Sequence, residues 1–297
     1  MTATDNGHLR SLEVKLPVYR CYDCDLFFLN PPPPSEIGRE YFAEAYAAPA
    51  SSNVYYDDAF KGRVSNLRLD LLARYVESTG KLLDVGCGKG QFVHMAQTRG
   101  WNAWGVELDE GACNYARTHL GLQTVLNGSL DHPELPGEFD VVTLWDVIEH
   151  VPDPVGIFKH SAERLRAGGV VVVRTANIRS WTFDRHRSRW WAFGSDHRFY
   201  FSPDSLRAAM NAAGLSVIEV LNCEPAERPG KRQTRDISDT SLSDGLRSVT
   251  RSPKKISQIG RYGANLLRRI AGDRRYGRHY RTSIMTVVGV KKPGTGT

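Results

Sequence analysis

No long hydrophobic run exists in this sequence. Its longest purely aliphatic stretch, Val170 to Val173, falls far short of the roughly 20 apolar residues of a membrane-spanning helix, so no bilayer-crossing segment is expected. Met1 to Arg10 lacks the apolar centre of a secretory signal and carries an acid and a histidine instead, which points to the cytoplasm. Cysteine is scarce: Cys21, Cys24, Cys87, Cys113 and Cys223 are five, and an odd number without an export signal argues for reduced thiols over a disulfide framework. No repeat of about 20 to 50 residues is visible, which excludes a solenoid. What the chain does have, over 297 residues, is 41% hydrophobic and 24% charged residues, an ordinary globular balance that excludes wholesale disorder. That length builds one large α/β domain or two modest ones.

The net charge of +6 is unevenly placed. Residues 223–297 carry 17 Lys/Arg against 6 Asp/Glu, whereas residues 1–222 carry 22 against 27, so the basicity belongs to the tail region. There, Ile256, Ile259, Gly263, Leu266, Leu267 and Ile270 make an apolar stripe accompanied by Arg268, Arg269, Arg274, Arg275, Arg278 and Arg281. A basic amphipathic helix over 254–281 either packs on the sheet with its arginines in water, lies on anionic lipid, or neutralises phosphates of a nucleic acid.

Four parts are expected. Residues 1–56 form a preamble with Cys21-Tyr22-Asp23-Cys24, the aromatic run Leu26-Phe27-Phe28-Leu29 and a proline break at 31–34. Residues 57–222 form the core, 223–281 the basic helical insertion and 282–297 the last strand and tail. Val64, Leu67, Leu71, Leu72, Tyr75 and Val76 recur at helical spacing in a lead-in helix that Gly80 should stop. Strands are then expected at Lys81–Val85, Ala103–Leu108, Leu122–Leu126, Phe139–Trp145, Val170–Arg174, Leu215–Leu221 and Ile284–Val290, with helices at Gln91–Arg99, Glu110–His119, Pro154–Arg166 and from Pro203 to Gly214. Strands rich in Val and Leu without alternation are buried on both faces. The fold class is therefore α/β, a Rossmann-like doubly wound, mostly parallel sheet of seven strands with helices on both faces. Within it, 177–200 breaks the rhythm with Trp181, Trp190, Trp191, Phe193, Phe199 and Tyr200 among arginines and histidines, and reads as an aromatic lid.

The segment Leu82-Leu83-Asp84-Val85-Gly86-Cys87-Gly88-Lys89-Gly90 is a strand entering a glycine-rich turn that opens a helix. Such a turn offers amides and a helix N-terminus to a carboxylate or phosphate. The glycines at 86, 88 and 90 match neither the dinucleotide fingerprint nor the phosphate loop, which disfavours a nicotinamide-dependent oxidoreductase. Glu107 ends the second strand, where a carboxylate accepts hydrogen bonds from a ribose. The ligand is a nucleoside bearing an anion.

Together with Asn127-Gly128-Ser129-Leu130 after the third strand and the run from Phe139 through Trp145-Asp146-Val147-Ile148-Glu149-His150 to Pro154, these features resemble the class I S-adenosylmethionine-dependent methyltransferases. The last run is similar to the ubiquinone-biosynthesis O-methyltransferases and their small-molecule relatives, and the likeness covers residues 80–220. It implies that the cofactor is S-adenosylmethionine. Gly86, Gly88, Gly90 and the Cys87 backbone would hold its methionine part, with Asp84 ordering the amino group. Glu107 and Leu108 would take the ribose side, Ser129 and Leu130 would border the adenine, and Trp145 and Asp146 would flank the sulfonium. The expected activity is methyl transfer to a hydroxyl of a small or lipid-linked metabolite of sugar, quinone or polyketide type.

Methyl transfer from a sulfonium needs alignment and a dry site, and a base only where the acceptor holds its proton tightly. His197, in Asp196-His197 at the end of the aromatic segment, is the first candidate base, and His150 the second. His150 also reads as a loop cap before Pro152. In some ubiquinone-pathway relatives acids in this stretch hold a divalent cation. Asp146, Glu149 and His150 have suitable spacing, but one short segment completes no coordination sphere, so no metal is assigned. Cys21 and Cys24 resemble half of a paired zinc-binding preamble, and a closed zinc site needs four ligands. Transfer to carbon or nitrogen, a nucleic-acid methyltransferase and a non-catalytic cofactor-binding module are the rival readings. The nucleic-acid reading is disfavoured because Trp145-Asp146-Val147-Ile148 stands where base-amino methylases carry an Asn/Asp-Pro-Pro-aromatic motif. The sequence leaves the oligomeric state open.

Overall fold

The structure, a computed structural model, describes residues 2–4, 15–34, 36, 44, 46, 58–194, 196–221 and 283–292. Its first elements are strands β1 (Thr2–Thr4), β2 (Lys15–Arg20) and β3 (Phe27–Leu29), then helix α1 (Asp58–Leu72). From there the chain alternates: β4 (Lys81–Val85), α2 (Gln91–Thr98), β5 (Asn102–Glu107), α3 (Glu110–Leu120), β6 (Val125–Asn127), β7 (Phe139–Trp145), α4 (Pro154–Arg164) and β8 (Leu165–Ala176). A short helix α5 (Trp181–His186), strand β9 (Phe199–Tyr200), helix α6 (Pro203–Ala212) and strands β10 (Leu215–Leu221) and β11 (Ile284–Lys291) complete it.

Seven strands form one sheet in the order β10-β11-β8-β7-β4-β5-β6. Strand β4 lies between β7 and β5 in parallel register, with Leu82 opposite both Val141 and Ala103, and β11 runs antiparallel to β8 and β10. The apolar runs are buried on both faces, as their lack of alternation requires. Leu83, Val142, Val171 and Phe158 lie in one core cluster, and Leu82, Val141, Val172 and Leu72 in another. Helix starts follow local chemistry: Asp109 accepts the Ala112 amide at 2.7 Å, Asp153 accepts that of Gly156 at 2.8 Å ahead of Pro154, and Ser202 and Ser205 cap each other's backbone before Pro203. No helix of the described residues is long and apolar enough to cross a membrane.

Several expectations are corrected. The lead-in helix ends at Leu72, well before Gly80. Its buried residues are Ser65, Leu69, Leu71 and Leu72, and the half-buried Arg68 lies along the Ser65–Leu69–Leu72 face with 14% of its side chain exposed. Leu122 precedes the third core strand because Gly121 ends α3 in a left-handed turn and Leu122 fills the space above Gly90.

The segment 177–200 is no lid. Trp190 and Phe193 are 0% exposed and Tyr200 1%, and they make a separate core with Val18, Phe27 and Leu29 of the preamble. The boundary drawn between preamble and core is crossed by a second sheet of four strands, β1-β2-β3-β9, in which Phe27 faces Tyr200. The Asp25 carboxylate fastens this unit, paired with Arg20 at 2.7 Å and with Arg179. The basic helix expected at 254–281 and Cys223 lie outside the described residues.

Candidate functional site

The glycine turn follows β4 at the carboxyl edge of the sheet, and the amides of Gly86, Cys87, Gly88 and Gly90 have partners within the protein. Those of Gly86 and Cys87 donate to the Val106 carbonyl at 2.8 and 3.2 Å, that of Gly90 to Cys87 at 3.0 Å, and that of Gly88 to Glu107 Oε2 at 2.9 Å. These bonds close the turn on itself and on β5. Gly88 has φ +54°, and a Cβ there would stand 3.0 Å from the Tyr46 hydroxyl, so only glycine leaves the turn and this phenol face to face. Gly90 serves packing, since a Cβ would meet Leu122 Cδ1 at 2.7 Å and Ala116. The Cys87 side chain points into the core beside Gly105.

Glu107 is 9% exposed, and its other oxygen accepts the Asp109 amide at 3.0 Å. A carboxylate offers about four lone-pair sites, so one on each oxygen stays open to hydroxyl donors. Leu108 beside it is 73% exposed. Ser129 lies exposed in the turn after β6, whereas Leu130 is 1% exposed within the core and its side chain cannot border a ligand. Asp84 is 3% exposed and accepts Thr143 Oγ1 at 2.6 Å. Burial pushes its carboxyl up to about 7, against the Thr143 hydrogen bond and the Arg68 charge.

Across the edge, Trp145 ends β7 and packs edge-on against Phe92 at 5.5 Å. The Arg68 guanidinium lies 4.5 Å over its indole and 3.8 Å from Asp146, whose carboxylate is also paired with Arg174 from the end of β8. Asp146 takes a left-handed backbone, φ 59°. Arg68, Arg174 and Tyr46 are the site residues that sequence reasoning missed. The signal for Arg68 was its place on the apolar line of α1.

The two candidate histidines are brought together. The Glu149 carbonyl accepts the amides of Arg198 and Phe199 at 2.8 and 3.3 Å, tying the loop after β7 to the approach of β9. The rings of His150 and His197 consequently meet edge to face at 4.7 Å. His150 Nδ1 lies 3.0 Å from the Asp196 carbonyl oxygen, and His197 Nε2 lies 3.8 Å from the Asp196 carboxylate. Glu149 is 3% exposed, and burial raises its carboxyl to about 7 despite the His150 charge. Burial, helped by His150, lowers His197 to about 4. Trp145 Nε1, Glu149 Oε2 and His197 Nδ1 are buried without hydrogen-bond partners among the described residues. Ligand atoms of Glu149, His150 and His197 lie within 4.8 Å of one another, a span that a cation could bridge, while Asp146 is held away by its arginines. The arrangement can take a polar acceptor group at one end and a nucleoside at the other.

The sequence model of the methyltransferase domain family matches residues 58–220. The chain is 30% identical over 174 residues to a ubiquinone biosynthesis O-methyltransferase of Idiomarina loihiensis, covering 53% of this chain and 71% of that protein. It is 35% identical to the enzyme of the same description from Marinobacter nauticus over 38% of this chain, and there it spans about half of the relative's length, 52%. Among solved structures, an S-adenosylmethionine-dependent methyltransferase from Archaeoglobus fulgidus superposes with a TM-score of 0.50 at 16% identity, covering 78% of this chain and 94% of that one, a likeness of fold.

Proposed function

The chain belongs to the methyltransferase-domain family, and we propose that it transfers a methyl group from S-adenosylmethionine to a hydroxyl of a small or lipid-linked metabolite. The observation that carries this reading is the cluster of the buried Glu149 with the half-buried His150 and His197, in which Glu149 Oε2 and His197 Nδ1 have no hydrogen-bond partner among the described residues, at the sheet edge that also bears Glu107 and Asp84. Relatives described as ubiquinone biosynthesis O-methyltransferases support oxygen as the acceptor atom.

The residues present fit the cofactor. Glu107 has open lone pairs for ribose hydroxyls, and the buried Asp84 carboxylate suits an ammonium group. Arg68 supplies the positive charge that the turn amides do not, and would hold the methionine carboxylate. S-adenosylmethionine, when bound, supplies a methyl group on a sulfonium that departs as a neutral thioether.

His150 is the better base. A carbonyl oxygen only accepts, so the bond to Asp196 puts the hydrogen on His150 Nδ1 and makes Nε2 the basic nitrogen of the ring. His197, lowered to about 4, is neutral at physiological pH and too weak a base to be preferred, so its role is to receive or donate a hydrogen bond to the acceptor. The aromatic core behind it holds the segment rigid and excludes water.

The test is incubation with carbon-13 methyl-labelled S-adenosylmethionine and a panel of phenols, catechols, sugar nucleotides and amines. A methoxy carbon resonance with release of S-adenosylhomocysteine is expected. Label found only on nitrogen or carbon would overturn oxygen as the acceptor.

A further inference from the structure

The hairpin between β2 and β3 carries the two cysteines that the reaction does not use. Cys21 leaves β2 and Cys24 lies in the turn that follows. The turn is closed by the Cys21 amide on the Leu26 carbonyl at 2.8 Å and by the Asp25 amide on the Cys21 carbonyl at 3.0 Å. Asp25 adopts φ 61° there, its carboxylate fixed by Arg20 and Arg179. Both thiols are free and partly exposed, and they stand three residues apart in this one closed turn. Hydrogen bonding to the backbone of Cys24 and Asp23 holds the Cys21 thiol below the usual range, while burial holds that of Cys24 above it. Cys87 and Cys113 differ: both are buried, and burial raises both thiols. A closed metal site would need about four ligands, and the single group of three or more candidate metal ligands found among the described residues is Glu149, His150 and His197, not the cysteines.

We propose that Cys21 and Cys24 form a redox-active dithiol that closes to an intramolecular disulfide by exchange with a low-molecular-weight disulfide of the glutathione type. The Cys21 thiolate attacks one sulfur of the oxidant, whose S–S bond breaks, and the departing thiolate takes up the proton that Cys21 released. The Cys24 thiol then loses its proton and attacks the Cys21 sulfur of the mixed disulfide, expelling the second thiolate, which that proton neutralises. The cysteine pair loses two electrons and the oxidant becomes two thiols. Cys21 is the attacking sulfur because the amides stabilise its anion, and Cys24 resolves.

The experiment equilibrates the full chain in glutathione buffers of increasing oxidised-to-reduced ratio, quenches in acid, alkylates, and maps modified peptides by mass spectrometry. The peptide bearing Cys21 and Cys24 should lose both alkylation sites in one step while Cys87 and Cys113 stay reduced. Cys24→Ser should accumulate a glutathione mixed disulfide on Cys21, roughly tenfold faster than Cys21→Ser does on Cys24. A pair that stays fully alkylatable at the most oxidising ratio, or one that holds stoichiometric zinc and resists exchange, overturns the proposal. Neither result bears on methyl transfer, which is measured separately.

Discussion

The ring of His150 meets that of His197 edge to face at 4.7 Å, although the two lie on opposite sides of strand β8 in the chain. The relationship exists because the Glu149 carbonyl accepts two amides of the segment leading into β9. His150→Asn keeps an amide donor at the Nδ1 position for the Asp196 carbonyl but removes the basic nitrogen. Turnover should fall by roughly 10²-fold, the usual scale for losing a general base. Affinity for S-adenosylhomocysteine by calorimetry should stay within about twofold. Undiminished turnover would remove His150 as the base.

Asp84 gives a pH test. Its carboxyl is raised to about 7 in the fold, above the ordinary value of an unfolded chain, so between about pH 4 and 7 the folded state holds a proton that the unfolded state has released. Its contribution is therefore present at low pH and lost as pH rises to 7. Asp84→Asn should gain stability relative to the parent progressively over that range and hold the gain above it, as read from urea midpoints at several pH values. A difference that does not change with pH would refute the assignment. His197, lowered to about 4, acts in the opposite sense, costing stability as pH falls from about 6.5 to 4.

The sheet was legible because Val170 to Val173 and Leu82-Leu83 have no polar alternation, and both proved buried on two faces. Strand β10 matches its expected bounds, Leu215–Leu221. Strand β6 did not, since the buried Leu122 owes its apolar character to Gly90 and not to a strand. Of the candidate site residues, Asp84 and Glu107 stand at the strand positions expected for them, and the two histidines, read separately, meet in space. Arg68 was hidden because an arginine between Leu67 and Leu69 reads as the solvated side of a helix until a partner surface with Trp145 and Asp146 appears. The aromatic segment was misread because its partners, Val18, Phe27 and Leu29, lie far upstream, beyond any local periodicity.

Arg68→Met keeps the apolar stem and removes the guanidinium that faces Trp145 and Asp146. Affinity for S-adenosylhomocysteine should drop about tenfold, the scale of one charge-assisted hydrogen bond. Unchanged titration heat would place Arg68 outside the cofactor site.

Trp190→Ala distinguishes a core from a movable flap. The residue is 0% exposed, with Phe183 and Phe193 edge-on at 5.6 and 5.5 Å. Truncation should cost about 3–5 kcal/mol by denaturant unfolding, as for large aromatics in packed interiors. A loss below about 1 kcal/mol with normal folding would restore the flap reading.

The pairing of β3 with β9 sets the candidate site against two pieces of architecture. Asp84 and Glu107 stand on the large sheet, whereas the wall behind His197 is a joint product of an upstream hairpin and a downstream excursion. Changes confined to that hairpin therefore reach the His197 side through the aromatic core and leave the strands bearing Asp84 and Glu107 untouched.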